Sequence, residues 1–315
     1  MDRSGLDPQV LAYLQQQEAL DASPLNTRRA AEVREEFDRD FFEFLSPPEA
    51  VKKVEEFTVP GYQEQIALRV YIPENAEPLP VLLYIHGGGW VLLNLDTHDS
   101  LCRQIANLAA CMVVSVDYHL APESKFPYPL EDCWAALCWV RDNIAGLGGD
   151  PQRIAVGGDS AGGNLSAALT LLARERDPGR IGYQLLIYPV TDVSNFERES
   201  YKTLGQDFGL TREDMIWFAE QYTSSEAERN NPLVSPLLED NLEGLPPAHV
   251  VTVGFDPLRD EGQEYTLRLK QAGVPVTEIC YRDQIHGLFC LDGVIDQARA
   301  AIEEISVRLS EALRI

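Results

Sequence analysis

The central part of the chain alternates between short, continuous apolar runs and longer segments whose apolar residues recur at helical spacing. The runs predict strands that are buried on both faces, and the longer segments predict the helices between them. This alternation is typical of a parallel sheet covered by helices on both faces. The predicted strands are 81–85, 112–116, 153–156 and 183–188, and the predicted helices are 98–110, 130–144 and 161–175.

Further elements flank this central part on both sides. The strand predicted at 65–72 alternates apolar and polar positions, which is typical of a half-buried strand. Helix 98–110 is expected to be capped by Asp96 or Thr97. The remaining flanking elements are strands 51–59, 249–253 and 275–280 and helices 259–272 and 294–313.

Two stretches contain helical patterns but no clear strand. The first 45 residues predict two helices, and the second, at 28–45, ends at the cluster 46–48, which contains two prolines. Between 191 and 245, Thr211 caps a helix at 211–222. We expect both stretches to form a cap over the carboxyl edge of the sheet, where open α/β sheets bind ligands. The predicted division is a cap segment 1–48, a sheet domain 49–190 and 246–315, and a cap insertion 191–245.

The net charge of the chain limits the kinds of molecule that it can bind. The chain has 315 residues, 26 Lys and Arg against 50 Asp and Glu, and a net charge of −24. Such a chain repels phosphate backbones and anionic lipid surfaces, so we expect neither a nucleic-acid nor a membrane partner. The first residues lack the basic and apolar regions of a signal peptide, which predicts a cytoplasmic protein.

Cysteine and histidine spacing argues against a metal centre. None of the six cysteines forms a CxxC pair, and none of the five histidines shows HxxxH or HExxH spacing. We therefore expect reduced thiols and neither metal nor cofactor.

The segment GGDSAGG at 157–163 carries the clearest chemical signal. It follows an apolar strand and opens an Ala- and Leu-rich helix, so Ser160 stands on a tight strand-to-helix turn with its hydroxyl exposed. Gly158 and Gly162 lack the Cβ that would obstruct a close approach of strand and helix. A phosphate loop is the alternative, but the glycine spacing matches no phosphate motif well and the net charge opposes phosphate.

A second glycine-rich segment, HGGGW at 86–90, directly follows strand 81–85. Three successive glycines leave backbone N–H groups free to point at a ligand oxygen, which is the requirement for an oxyanion hole. Alone it would be an unremarkable turn, but together with Ser160 it predicts a site for acyl transfer.

A nucleophilic serine needs a base and an acid that orients it. His286 comes late in the chain after a strand, and we favour it over His98, His119 and His249, which are expected to be surface or hydrogen-bonding residues. Asp256 follows strand 249–253 and is preferred over Asp260, which lies in the first turn of the next helix. The order Ser160, Asp256, His286 is that of α/β-hydrolases.

These motifs together resemble the hormone-sensitive-lipase family of α/β-hydrolase esterases. The resemblance covers about residues 50–315 and also includes DYHLAPE at 117–123, FPYPLED at 126–132, DPLRDEG at 256–262 and HGLF at 286–289. It implies an eight-stranded, mostly parallel sheet with a helical cap and hydrolysis of carboxylic esters without a cofactor. It further implies Ser160 as nucleophile, His286 as base, Asp256 as its partner, and Gly88, Gly89 and Ala161 as oxyanion donors.

The sequence determines the substrate preference less closely than it determines the catalytic residues. Family members usually carry glycine where this chain has Leu93, so a positive φ or an open pocket there would make Leu93 a source of strain or bulk. The resemblance suggests short- to medium-chain acyl esters. Candidate pocket residues, each of which could equally belong to the core, are Trp90, Leu93, Tyr188, Phe208, Leu210, Trp217 and Phe289.

The sequence is also compatible with two other functions. The same three residues would serve an amidase, peptidase or lactonase, and the fold also supports non-catalytic small-molecule receptors. The strand at 275–280 is expected to be the last in the sheet, so a homodimer through this edge is plausible.

Overall fold

A computed structural model describes residues 3–19, 23–75 and 78–314. The predicted strands pair into one eight-stranded sheet, whose members in chain order are β1 (Lys53–Pro60), β2 (Gln65–Ile72), β3 (Leu79–Ile85), β4 (Met112–Asp117), β5 (Gly149–Asp159), β6 (Tyr183–Ile187), β7 (Ala248–Phe255) and β8 (Val276–Ile285). Their order across the sheet is β1-β2-β4-β3-β5-β6-β7-β8. β2 runs antiparallel to both of its neighbours, and every other pair is parallel.

Helices cover both faces of this sheet, as predicted. Alternate side chains of β3 show the two faces, because Leu83 and Ile85 join one buried cluster while Leu82 and Tyr84 join the other. The helices are α1 (Pro8–Ala19), α2 (Ala30–Asp40), α3 (Asp99–Ala109), α4 (Tyr128–Asn143), α5 (Ala161–Arg176), α6 (Glu199–Leu204), α7 (Arg212–Tyr222), α8 (Glu226–Arg229), α9 (Arg259–Gln271) and α10 (Asp296–Leu313). α3 and α10 pack on one face, and α4 and α5 pack on the other. The predicted fold class is confirmed.

Two local predictions were wrong. Neither Asp96 nor Thr97 caps α3: the capping position belongs to His98, whose side chain makes no capping hydrogen bond. Asp96 instead pairs with Arg69, 2.8 Å away, and the Thr97 hydroxyl donates to the Asn94 carbonyl oxygen. β8 does not end near residue 280, because after an irregularity in β7 its pairing resumes at Phe255 and continues to residue 285.

The two helical stretches that were predicted to form a cap contain more and shorter elements than expected. α2 ends at Asp40 and continues as a 3-10 turn, Phe41–Phe44. The insertion contains α6 and α8 besides α7. The predicted cap of α7 by Thr211 is present, and the Thr211 amide donates a reciprocal hydrogen bond to the Asp214 side chain. Residues 1, 2, 20–22, 76, 77 and 315 of the predicted division lie outside the described residues. None of the helices in the described ranges has the length and apolar character needed to cross a membrane.

The turn between β5 and α5 brings the helix against β3. A Cβ at Gly158 would collide with the carbonyl oxygen of Ile85, and a Cβ at Gly162 would collide with the carbonyl oxygens of Ile85 and His86. Backbone atoms cannot give way as a flexible side chain can. The close approach predicted from the glycine spacing is therefore present, and it positions the start of α5.

We expect Gly162→Ala to lower the free energy of unfolding by about 1–3 kcal/mol, because the added methyl group must push α5 away from β3. Urea denaturation measures the change. The control is Gly146→Ala, since a Cβ at this exposed glycine would meet no atom within 4 Å. Equal stability of the two variants would contradict the close approach.

Candidate active site

Three side chains from three different strand ends meet at the carboxyl edge of the sheet. Ser160 follows β5, Asp256 follows β7 and His286 follows β8. The Nε2 atom of His286 lies 2.9 Å from the Ser160 Oγ, and its Nδ1 lies 2.8 Å from the Asp256 Oδ2. The structure thus brings the three predicted residues into one hydrogen-bonded chain.

The carboxylate of Asp256 determines which imidazole nitrogen is protonated. Asp256 is fully buried, and its second oxygen accepts a hydrogen bond from the Leu258 amide at 2.8 Å. Because a carboxylate only accepts, the Nδ1 of neutral His286 donates to it, and Nε2 is left to accept from the Ser160 hydroxyl. The ring of Tyr188 packs against the imidazole at a centroid distance of 4.5 Å.

Ser160 has a strained backbone. Its φ is 55° and its ψ is −118°, a region that residues other than glycine rarely occupy. The Ser160 amide donates to the carbonyl oxygen of Ile187, and its own carbonyl accepts from Asn164 and Val190. Neighbouring backbone groups therefore hold a conformation that the residue alone would not adopt.

The glycine loop lies beside this serine. Gly88 and Gly89 have φ values of 99° and 60°. Asp159, which precedes the serine, accepts a hydrogen bond from the Gly87 amide at 3.1 Å. Ala161 is the first residue of α5, where amides lack a partner within the helix. The glycine loop and the helix start therefore both adjoin Ser160.

Known proteins match this chain in sequence. Residues 82–290 match a family model described as the alpha/beta hydrolase fold. The chain belongs to this α/β-hydrolase family. It is 41% identical over 264 residues to the carboxylic ester hydrolase LipN of Mycobacterium tuberculosis, a match that covers 81% of this chain and 70% of LipN.

Two further comparisons cover nearly the whole chain. Carboxylesterase NlhH of Mycobacterium tuberculosis is 40% identical over 99% of this chain and 97% of its own length. The solved structure of an esterase from Pyrobaculum calidifontis superposes with a TM-score of 0.90 at 39% identity, over 97% of this chain and 98% of that one. The resemblance to the hormone-sensitive-lipase group that the motifs indicated is confirmed.

Residues of α7 and α2 lie against the glycine loop of this α/β hydrolase. The ring of Phe218, on α7, lies so close to Gly89 that any Cβ there would collide with it. Arg34, on α2, donates to the Val91 carbonyl oxygen at 2.6 Å and pairs with Glu123 at 2.6 Å. Sequence reasoning named Trp217 but missed its neighbour Phe218, because both positions carry an aromatic residue and only packing distinguishes them.

The predicted pocket residues differ in their surroundings. Tyr188 packs against His286, and Phe289 packs against Tyr188 at a centroid distance of 5.8 Å. Trp90 stacks on Tyr222, 4.5 Å away. Their role in a pocket stays a prediction, as does that of the others, namely the buried Leu93, Phe208 and Trp217 and the half-buried Leu210.

Leu93 has the positive φ that its place in the loop indicated. Its φ is 68°, and its side chain is buried against Gly88. The substitution of leucine for the usual glycine therefore adds both strain and bulk beside the predicted oxyanion donors.

All three histidines expected to be surface or hydrogen-bonding residues have hydrogen-bonding partners, and two of them are buried. His98 and His249 are almost completely inaccessible, and only His119 is partly exposed. Burial and the neighbouring His98 lower the pKa of His86 to about 3, so His86 is neutral. The hydrogen-bonding partners are Asp159 for His98, Asp132 for His119 and Thr277 for His249.

A buried glutamate that the sequence analysis did not single out joins α9 to the segment that follows β6. Glu261, on α9, accepts hydrogen bonds from the amides of Thr191 and Asp192 at 2.7 and 3.2 Å. Burial raises the pKa of its carboxyl to about 8 from an ordinary value of 4.5. The folded protein therefore holds it protonated at pH values where the unfolded chain ionises it.

Stability is expected to fall as pH rises from about 4.5 to 8, since the unfolded chain releases this proton and the folded one retains it. Glu261→Gln removes the titration, so its stability relative to wild type should increase steadily across that window. Thermal unfolding at several pH values measures this difference. The control is Glu303→Gln, because Glu303 is an exposed residue that pairs with Arg299. A difference independent of pH would contradict a raised pKa.

Proposed function

We propose that this α/β hydrolase is a serine carboxylesterase that forms an acyl-enzyme intermediate. The observation that carries the proposal is the hydrogen-bonded chain from Asp256 through His286 to the Ser160 Oγ, beside the glycine loop. The carboxylic ester hydrolases among its relatives support the same reaction class.

In the proposed first step, His286 takes the Ser160 proton while Oγ attacks the ester carbonyl carbon. The negative charge that develops on the carbonyl oxygen is stabilised by the amides of Gly88, Gly89 and Ala161. Protonated His286 then gives its proton to the leaving alcohol, and the acyl group remains on the serine. Water, deprotonated by the same imidazole, attacks the acyl-enzyme and releases the acid.

Asp256 holds the imidazole in the tautomer that this sequence of steps requires. Its buried carboxylate also stabilises the imidazolium that forms when the serine proton is transferred. The positive φ of Ser160 aims Oγ away from the sheet toward the imidazole. No metal ion or cofactor enters any step.

We also propose that residues 1–48 and 191–245 act as a cap on the sheet domain 49–190 and 246–315. Support comes from α7 and α2, since Phe218 packs against Gly89 and Arg34 binds the loop at Val91. A cap in these positions limits the length of acyl chain that can lie beside the serine.

Ser160→Ala should abolish detectable hydrolysis of p-nitrophenyl butyrate, because loss of the nucleophile typically costs about 10⁶-fold in turnover. The fold should be retained, which circular dichroism checks. Ser224→Ala, at an exposed serine, is the matched control. Residual activity within about tenfold of wild type would refute the role of Ser160. A folded wild-type protein that cleaves amides or lactones but not esters would favour the alternative hydrolases, and one that cleaves none would favour a receptor.

Wild type should show its highest kcat/KM on acyl chains of about four to eight carbons, measured on p-nitrophenyl acetate, butyrate, octanoate and palmitate. Phe218→Ala should move this maximum to longer chains, because it removes a buried ring beside Gly89 and each accommodated methylene is worth about 0.8 kcal/mol. Phe42→Ala is the control, since that ring is 46% exposed. A maximum on palmitate emulsions for wild type would contradict the expected preference.

We further propose a homodimer through β8. In the sheet of the described residues β8 is an edge strand, which pairs on one side with β7. β8 carries the exposed residues Thr277, Glu278 and Arg282. An edge strand can pair with a copy of itself. Sedimentation over a range of concentrations should show the dimer mass, and a monomer at every concentration would rule this assembly out.

A cytoplasmic location is the remaining part of the proposal. All six cysteines are free thiols, three of them with the sulfur in the fully buried core beside α3 and α4. Free thiols are the usual state in reducing compartments.

A further inference from the structure

A buried group of metal-ligating side chains lies next to the serine turn and has no part in the proposed mechanism. His98, Asp159 and Cys290 come from three separate segments, and their ligating atoms lie within 4.8 Å of one another. All three side chains are buried. Within the part of the chain that the structure describes, no other group of three such residues comes together in this way.

The spacing of the His98 Nε2 from the other two ligating atoms is close to that around a tetrahedral metal ion. The His98 Nε2 lies 3.2 Å from the Asp159 Oδ1 and 3.7 Å from the Cys290 Sγ. Zinc–nitrogen and zinc–oxygen bonds of about 2.0 Å and zinc–sulfur bonds of about 2.3 Å give ligand separations of about 3.3 to 3.5 Å at tetrahedral angles. His98 therefore lies at a suitable distance from both other ligands.

The imidazole of His98 presents Nε2 to this group. Its Nδ1 lies 3.0 Å from the Thr97 oxygen and holds a proton toward it, since the Thr97 hydroxyl donates its own hydrogen to the Asn94 carbonyl oxygen at 2.8 Å. Nε2 donates its proton to the Asp159 carboxylate. A metal ion binds Nε2 in place of that proton, so its binding releases the proton.

A second imidazole beside the group has an unused lone pair. The Nδ1 of His86 lies 2.8 Å from the Gly87 carbonyl oxygen and must donate to it, so the His86 Nε2 is unprotonated in the neutral ring. That nitrogen is buried and has no hydrogen-bond partner among the described residues. The His86 and His98 rings are adjacent, with centroids 5.6 Å apart.

We propose that His98, Asp159 and Cys290 form a binding site for a thiophilic divalent cation such as Zn²⁺, Cd²⁺ or Co²⁺, and that the bound ion inhibits hydrolysis. On binding, the Cys290 thiol and the His98 Nε2 each lose a proton to solvent, and the sulfur and the nitrogen form bonds to the metal. Thiolate and carboxylate together cancel the two charges of the ion, which makes the buried complex neutral. Neutrality matters because an uncompensated charge is very unfavourable in a buried site.

Inhibition is expected because Asp159 already accepts hydrogen bonds that position the glycine loop. Its Oδ1 accepts hydrogen bonds from the Gly87 amide at 3.1 Å and from the Tyr84 hydroxyl at 2.7 Å. A metal ion that withdraws electron density from this oxygen weakens the bond to Gly87, and it pulls on the residue directly before Ser160. Both the glycine loop and the serine move, and small misplacements of reacting groups lower the rate strongly. This inhibitory effect rests on the proposed function, whereas the binding site itself does not.

Cobalt(II) is the probe, because its thiolate charge-transfer absorption reports binding without any catalytic turnover. Titration of chelator-treated protein should show one ion per chain with that absorption, and hydrolysis of p-nitrophenyl butyrate should fall by at least about tenfold. Zn²⁺ should displace the cobalt absorption and inhibit equally. Because the site is buried, we expect both changes to develop slowly and together.

Cys290→Ser should remove the absorption, weaken binding by about 100-fold and make hydrolysis insensitive to the metal, while activity without metal is retained. Cys290→Ala serves the same purpose if the serine variant does not fold, as judged by circular dichroism. Cys138→Ser is the matched control and should bind as wild type does, since Cys138 lies on α4, outside the group.

Three results would overturn the site: no cobalt binding by folded wild type, an unchanged absorption in Cys290→Ser, or inhibition that persists in that variant. The last result would place the ion on His286 instead. Failure of the proposed function is distinguishable, because a protein that binds cobalt through Cys290 but cleaves no ester retains the metal site and loses only the esterase assignment.

Discussion

The contact that the rest of the site depends on is the close approach of α5 to β3. Glycines at 158 and 162 let the helix begin against the carbonyl oxygen of Ile85, and this approach forces the chain to turn within one residue. That residue is Ser160, whose strained φ of 55° is the consequence. The strain is maintained by hydrogen bonds to neighbouring strands, so the position of Oγ is a property of the whole turn.

Two buried carboxylates fix the groups on either side of this serine. Asp256 accepts from the Leu258 amide and orients His286, while Asp159 accepts from Gly87 and Tyr84 and orients the glycine loop. A buried carboxylate is stable only when several donors surround it, and each of these has them. Burial opposes ionisation of Asp159, but the charge of His98 and the hydrogen bonds from His98 and Tyr84 outweigh it and lower the pKa of Asp159. The proposed base and the proposed oxyanion loop are thus held by separate networks that meet at one turn.

The elements that the sequence predicted well are those determined locally. The strands before Ser160 and Asp256 are continuous apolar runs, and the capping residue Thr211 acts within its own helix, so short-range pattern suffices. Predictions failed where a distant partner decides the outcome. Asp96 was unavailable as a cap because Arg69 on β2 binds it, and β8 is long because residue 285 pairs with Phe255 on β7.

The candidate site shows the same division between local and distant determinants. Motif spacing was enough to select Ser160, Asp256 and His286, since each follows a strand whose end lies at the same edge of a parallel sheet. It could not reveal that Phe218 covers Gly89 or that Cys290 reaches His98, because those contacts join segments far apart in the chain. Packing between distant segments is invisible to periodicity.

Leu93 illustrates how the loop combines strain with rigidity. Its positive φ costs about 1–2 kcal/mol relative to an ordinary conformation, whereas full burial of a leucine side chain contributes about 1.5–3 kcal/mol. These two contributions are of similar size and opposite sign. The exchange of glycine for leucine mainly affects the conformational freedom of the loop. Glycine would let the loop sample many conformations, and a leucine packed against Gly88 restricts them. Such a restriction suits the proposed oxyanion donors, because stabilisation of a developing oxyanion requires donors that are held in one arrangement before any substrate binds.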